Sequence, residues 1–86
     1  MTKTKKEKIN EIIENINKKL TNSRCKFLAI NEREPKKHEI LIKDCLNNII
    51  IQKYSYESKK NMLDFLNAYY LIDKYIIILN TKFAKK

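Results

Sequence analysis

The apolar residues of this chain change their period twice, and that switch sets the order of its elements. In "KEKINEIIENINKKLT", Ile9, Ile12, Ile13, Ile16 and Leu20 recur three and four residues apart, one stripe on a helix. Glu7, Glu11 and Glu14 stand early and Lys18 and Lys19 late, the arrangement a helix dipole favours. The spacing predicts a helix over 7–21 behind a flexible, lysine-rich tail over 1–6. From residue 24 the period drops toward two. "RCKFLAINERE" and "HEILIKDCL" read as strands, joined by a turn at "EPKK", where Pro35 sets φ and offers no N–H. Asn47-Asn48 reads as a two-residue hairpin loop, because Asn tolerates the left-handed conformation. "IIIQKYSY" is the third strand, so the predicted sheet spans 24–56.

The helical period returns after Ser58, a good N-cap. Met62, Phe65, Tyr69, Ile72, Ile76, Leu79 and Phe83 follow at alternating steps of three and four. This predicts a helical C-terminal segment over 58–84, with no Gly or Pro to break it. "YIIIL" is strand-prone, however, and leaves 74–84 open between helix and strand. The expected fold is α+β: a helix, a three-stranded antiparallel meander and a C-terminal helix, in αβββα order. At 86 residues it is one domain, burying about 60–65% of its unfolded surface around one modest core. Pairing Leu46 with Ile49 would place Ile40, Ile42, Leu46, Ile49 and Ile51 on the core face. Leu41, Cys45, Ile50, Tyr54 and Tyr56 would share the other. That second face is either covered, by a partner, a second copy or the C-terminal segment, or it carries singly exposed apolar residues.

Chemistry is harder to find than fold. His38 is the only histidine, and it is expected to be exposed after the Pro35 turn. No two carboxylates read as a catalytic pair, and without Gly there is no phosphate-cradling loop. Cys25 and Cys45 lie in apolar, strand-like runs and read as small buried hydrophobes with reduced thiols. Their spacing has no metal-ligand pattern. No enzyme activity, cofactor or metal is expected. No apolar run approaches the ~18 residues of a membrane span, and Met1–Lys8 is not a signal peptide. The expected location is the cytoplasm, that of a bacterial host, and no membrane partner is expected.

Binding remains. Nineteen basic against ten acidic residues give a formal charge of +9. Abundant Lys, Ile and Asn also match AT-rich codon usage, which would place part of that charge on ordinary solvated surface. The field still attracts polyanions, and its sign excludes an acidic nucleic-acid mimic. Lys36, Lys37 and His38 lie on a strand connection; Lys59 and Lys60 open the last helix. Lysine in a first helical turn opposes the dipole by a few tenths of a kcal/mol. Surface lysines tolerate so small a penalty, and a bound phosphate would reverse its sign. Tyr54 and Tyr56, on the less committed face, complete the candidate contacts.

The order helix–strand–strand–strand–helix, the basic first connection and the Ser-Lys-Lys opening the last helix resemble a double-stranded RNA-binding domain over about residues 7–73. That resemblance implies that Pro35, Lys36, Lys37 and His38 enter a minor groove and that Lys59 and Lys60 meet phosphates. The sequence departs from the family at Leu63, where a third lysine is expected, and at Leu66, Asn67 and Tyr70, where small residues are expected. The family's loop glycines have no counterpart. Integrase DNA-binding domains, three strands and a helix, look similar too. In format the chain also resembles small phage-encoded anti-CRISPR inhibitors. That likeness implies a non-catalytic inhibitor docking on a bacterial nucleoprotein or nuclease complex, such as a CRISPR effector. The alternatives are a direct RNA or DNA duplex binder and a structural homodimer through Tyr54 and Tyr56 or the 62–83 stripe.

Overall fold

The computed structural model describes residues 3–85, excluding the side chains of 69–71. The α+β order is as expected: α1 (Lys5–Lys19), β1 (Cys25–Arg33), β2 (Lys36–Asp44), β3 (Ile49–Tyr56), then α2 (Lys59–Leu66) and α3 (Tyr69–Thr81). The strands form one antiparallel sheet in the order β1-β2-β3. The helices cover one of its faces. Ile9, Ile13 and Ile16 of α1 meet Phe27, Ile40 and Ile42 of the sheet and Met62, Leu66, Ile72, Ile76 and Leu79 of α2 and α3 in one core.

α1 starts at Lys5, inside the segment expected to be a tail. Thr4 is the reason. Its side chain accepts from Glu7 N while the Glu7 side chain accepts from Thr4 N, a capping box. The backbone hydrogen bond from Thr4, and then that of its hydroxyl, hold the Glu7 carboxyl below its ordinary range. Residues 1–2 of the expected tail lie outside the described residues. At the other end of α1, Asn17 turns its amide onto the free edge of β1. Its Oδ1 accepts from Phe27 N (2.8 Å) and its Nδ2 donates to Phe27 O (3.0 Å). One side chain thus stands in for a neighbouring strand at that residue.

The β2–β3 connection differs from the expectation. Asp44, not Leu46, pairs with Ile49, and the loop is Cys45–Asn48. The Asp44 carboxylate sets this length. Its Oδ1 accepts from Leu46 N (3.0 Å) and Asn47 N (3.2 Å), an Asx-type turn, and Asn48 takes φ 56°. Leu46 and Ile49, expected in the core, are exposed (66% and 53%). Cys45 is exposed as well, against the expectation of burial. Cys25 is buried, and burial pushes its thiol up.

A register shift follows in β3. Ile42 pairs with Gln52 but Lys43 with Ile50, leaving Ile51 as the extra residue of a bulge. The bulge resets the alternation. Tyr54, paired with Ile40, and Tyr56, paired with His38, therefore sit on the helix-covered face rather than the opposite one. Both pack on Phe65, at 5.4 and 5.7 Å between ring centroids.

The C-terminal segment is two helices, not one. Ser58 caps α2 as expected, its hydroxyl accepting from Asn61 N (3.2 Å). Asn67 and Ala68 then close the helix, and Ala68 leaves the helical region at φ −82°, ψ 71°. An unbroken helix over 59–81 would run about 35 Å, near the 39 Å length of the whole molecule. The break turns α3 back toward the end of α1. There Asn80 Nδ2 donates to Lys19 O (3.1 Å), its Oδ1 accepts from Asn22 N (3.1 Å), and Ala84 bridges to Ser23. "YIIIL" is helical through Thr81: burying Ile72, Ile76 and Leu79 together outweighs β propensity. Tyr69, expected on this stripe, has its side chain outside the described residues.

Candidate nucleic-acid interface

α1 and α2 start at the same end of the molecule, the end where the β1–β2 hairpin turns. The hairpin register explains the convergence. Arg33 pairs with Lys36 around a two-residue turn at Glu34-Pro35, and His38 pairs with Tyr56, two residues before the Ser58 cap. A shallow cleft of about 310 Å³ lies there, lined by Lys5, Arg33, His38, Ser58, Lys59 and Lys60. Three segments far apart in sequence supply those side chains.

The cleft is cationic in a specific way. Among the described residues, no carboxylate lies within ion-pair distance of Lys5, Arg33, Lys59 or Lys60. The first turn of α2 contains no acidic residue. The N-terminus of α2 adds partial positive charge and backbone N–H groups left free by the helix pattern, whereas the Glu7 carboxylate stands in the first turn of α1. His38 Nδ1 donates to Asn31 Oδ1 (2.9 Å), which orients the ring. The ring is half-buried rather than exposed as expected. Together these groups can hold a phosphate-sized anion by charge and by N–H donation.

Of the expected contact residues, the fold brings His38, Lys59 and Lys60 together. Lys36 and Lys37 stand exposed at the hairpin tip, outside the cleft lining. Lys37 is 3.9 Å from Glu39, a carboxylate that Lys53 also approaches at 3.8 Å. Tyr54 and Tyr56 are turned away into the helix-covered side. There the Tyr54 hydroxyl shares a hydrogen bond with that of Tyr75. Burial and that hydrogen bond push the Tyr54 hydroxyl well above its ordinary value; burial, then the charge of Tyr75, pushes Tyr56 up to about 12. Sequence reasoning left Lys5 in a lysine-rich tail, apart from the candidate contacts, and missed Arg33. The capping pattern Thr4-x-x-Glu7 would have moved Lys5 from tail to helix, and the two-residue turn would have put Arg33 opposite Lys36.

A second hollow, of about 360 Å³, lies between α1 and the α2–α3 pair, over Ile12, Ile16, Leu66 and Ile72 and beside Lys18, Lys19 and Asp73. It offers an apolar floor, with no nucleophile–base pair among its described lining residues. Among the described residues, no three His, Cys, Asp or Glu side chains are grouped to hold a metal ion. No helix among them is long and apolar enough to cross a membrane. Compared with known proteins, the chain matches no family model, no curated sequence and no solved structure.

Proposed function

We propose that this chain binds the phosphate backbone of a nucleic-acid duplex through the cleft between the N-termini of α1 and α2 and the β1–β2 hairpin. One observation carries the reading: four cations with no carboxylate partner among the described residues converge there from three distant segments. Unbalanced charge of one sign at a helix N-terminus costs stability until an anion arrives. The contact is to backbone, so it carries little sequence preference. Fluorescence anisotropy with a 20-base-pair RNA duplex and its DNA equivalent tests this. If four phosphates are neutralised, log K falls against log salt with a slope of about −3.6, roughly a hundredfold loss from 50 to 200 mM. Lys59→Glu with Lys60→Glu flattens that slope by about 2. No binding of either duplex at 50 mM salt refutes the proposal.

A second reading is the non-catalytic inhibitor that docks on a bacterial nucleoprotein, a CRISPR effector among them. The observation in its favour is an exposed apolar group at the β2–β3 loop and the start of β3, with Leu46, Ile49 and Ile50 at 66%, 53% and 47% exposure, a feature of protein-facing rather than phosphate-facing surfaces. Adding the purified chain to guide-loaded effectors and measuring target cleavage tests it. Unimpaired cleavage across effector types at tenfold excess sinks it.

A further inference from the structure

At the end of the sheet away from the cationic cleft, the β2–β3 loop holds apolar side chains in water. Leu46, Ile49 and Ile50 are three of the five large hydrophobic residues that are exposed among the described residues. The loop that carries Leu46 and leads into Ile49 and Ile50 of β3 is braced. Asp44 is 1% exposed, and its carboxylate accepts from Leu46 N, Asn47 N, Asn47 Nδ2 (2.9 Å) and Arg24 Nε (3.0 Å). Arg24 is itself held over the Phe83 ring, 5.4 Å from its centroid, and donates to Ala84 O (3.4 Å). The pair is buried on the Asp44 side and partly exposed on the Arg24 side, and its bonds to Leu46, Asn47 and Arg24 satisfy both carboxylate oxygens. Here Asp44 ties Arg24 at the start of the sheet to the backbone of Leu46 and Asn47 in the loop.

The charge beside this loop is also unusual. Cys25, Phe27, Ile40 and Ile42 face the helices, so alternation turns Lys26 and Lys43 to the uncovered face. They are direct cross-strand partners, a like-charge pair that weakens a sheet. Neither lies within ion-pair distance of a carboxylate among the described residues. Elsewhere on this face the charges are balanced: Glu32 stands opposite Lys37, and Glu39 lies between Lys37 and Lys53. Lys43 pairs across to Ile50. The unbalanced positive charge therefore sits directly beside the exposed apolar residues.

We infer that the β2–β3 loop and the adjoining Lys26–Lys43 corner of the open sheet face dock a protein surface with an apolar patch rimmed by carboxylates. A second copy is the wrong occupant. A two-fold interface would gather Lys26 and Lys43 of both copies into one patch with no carboxylate to balance them among the described residues. A base-stacking strand is also wrong, because the aromatic residues of β3 turn to the covered face. The inference shares a protein partner with the inhibitor reading but not the identity of that partner. Unaffected effector cleavage would end that reading and leave this one intact.

The test is amide chemical-shift mapping of the full chain with a synthetic helical peptide carrying a leucine stripe flanked by glutamates. Shifts centred on Leu46, Ile50, Lys43 and Lys26 are expected. Lys26→Glu with Lys43→Glu, both on the open face, should weaken binding at least about tenfold by charge repulsion, and Leu46→Ser should do so without a change of charge. The same peptide with lysines for glutamates should not bind. Three results would overturn the inference. They are no binding at millimolar peptide, shifts centred on Lys59 and Lys60, and a concentration-dependent dimer, seen by sedimentation, that Leu46→Ser abolishes.

Discussion

Replacing Asn17 by alanine probes how β1 is held. The Asn17 amide makes two hydrogen bonds to one residue, Phe27, at 2.8 and 3.0 Å. Phe27 is 1% exposed. Alanine leaves a backbone N–H and C=O at a sheet edge under α1 without their partners. Each lost bond costs about 1–1.5 kcal/mol. Alanine returns about 0.5 kcal/mol through better helix propensity. The net expectation is a loss of about 2 kcal/mol. At roughly 2.1 cal/mol/K per residue over 86 residues, that lowers Tm by roughly 11 °C. Urea unfolding should show a lower midpoint with an unchanged m-value. The Phe27 amide should exchange faster relative to its neighbours. Asn17→Asp sharpens the test, because an ionised carboxylate can accept from Phe27 N but cannot donate to Phe27 O. Its folded pKa should therefore rise above the unfolded value. The stability it retains is present below about pH 4 and is lost as pH rises through the folded pKa. A loss under about 0.5 kcal/mol for Asn17→Ala, with Phe27 exchange unchanged, would refute the pairing.

Three further outcomes follow from the packing. Leu66→Ala, at a residue with no exposed surface, should cost about 2–5 kcal/mol, read by urea unfolding. Tyr56→Phe should cost nothing measurable or stabilise the fold, because the Tyr56 hydroxyl is the one buried side-chain polar atom without a partner among the described residues; a substantial fall in Tm would mean that a bound water satisfies it. The raised Tyr54 and Tyr56 hydroxyls predict a fold that keeps their contribution below about pH 10 and loses it as pH climbs toward their folded values. Tyrosinate absorbance rising above pH 10 in step with loss of structure checks this, and full ionisation of all tyrosines near pH 10 in a folded chain contradicts it.

The Asp44 carboxyl makes the same argument with the opposite sign. Burial raises it, but the hydrogen bonds from Arg24 and Asn47 outweigh burial and hold it below the ordinary carboxylate range. Its contribution is present above the unfolded carboxylate pKa and disappears as pH falls through the folded one. Acid titration should therefore loosen the β2–β3 loop first. Leu46 and Asn47 amides that stay protected in the acid limb, until the whole chain unfolds, would contradict that order.

The periods of two and 3.6 were enough to read the αβββα order, the Ser58 cap and the core positions Ile9, Ile13, Ile16, Ile40 and Ile42. Those signals are local: each depends on neighbours a few residues away. The same local reading misplaced Leu46, Ile49, Tyr54 and Tyr56. Their placement depends on the Asp44 carboxylate, which fixes the loop at four residues, and on the bulge at Ile51, which reverses the alternation behind it. It divided the candidate site in the same way. Lys59 and Lys60 stood out as lysines at the wrong end of a helix. Their association with Lys5 and Arg33 could not be read, because it comes from α1, the β1–β2 hairpin and α2 ending at one pole.

What the sequence determined by itself was which segments are helix or strand and which side of most of them is apolar, since backbone propensity and periodicity act over one or two turns. Tertiary structure alone decided where the C-terminal helix bends, which face receives the tyrosines and which cations share a cleft. Those outcomes depend on contacts such as Asn80 to Lys19 and Arg24 to Asp44, between residues 61 and 20 positions apart, and no local pattern encodes a contact before the chain has closed it.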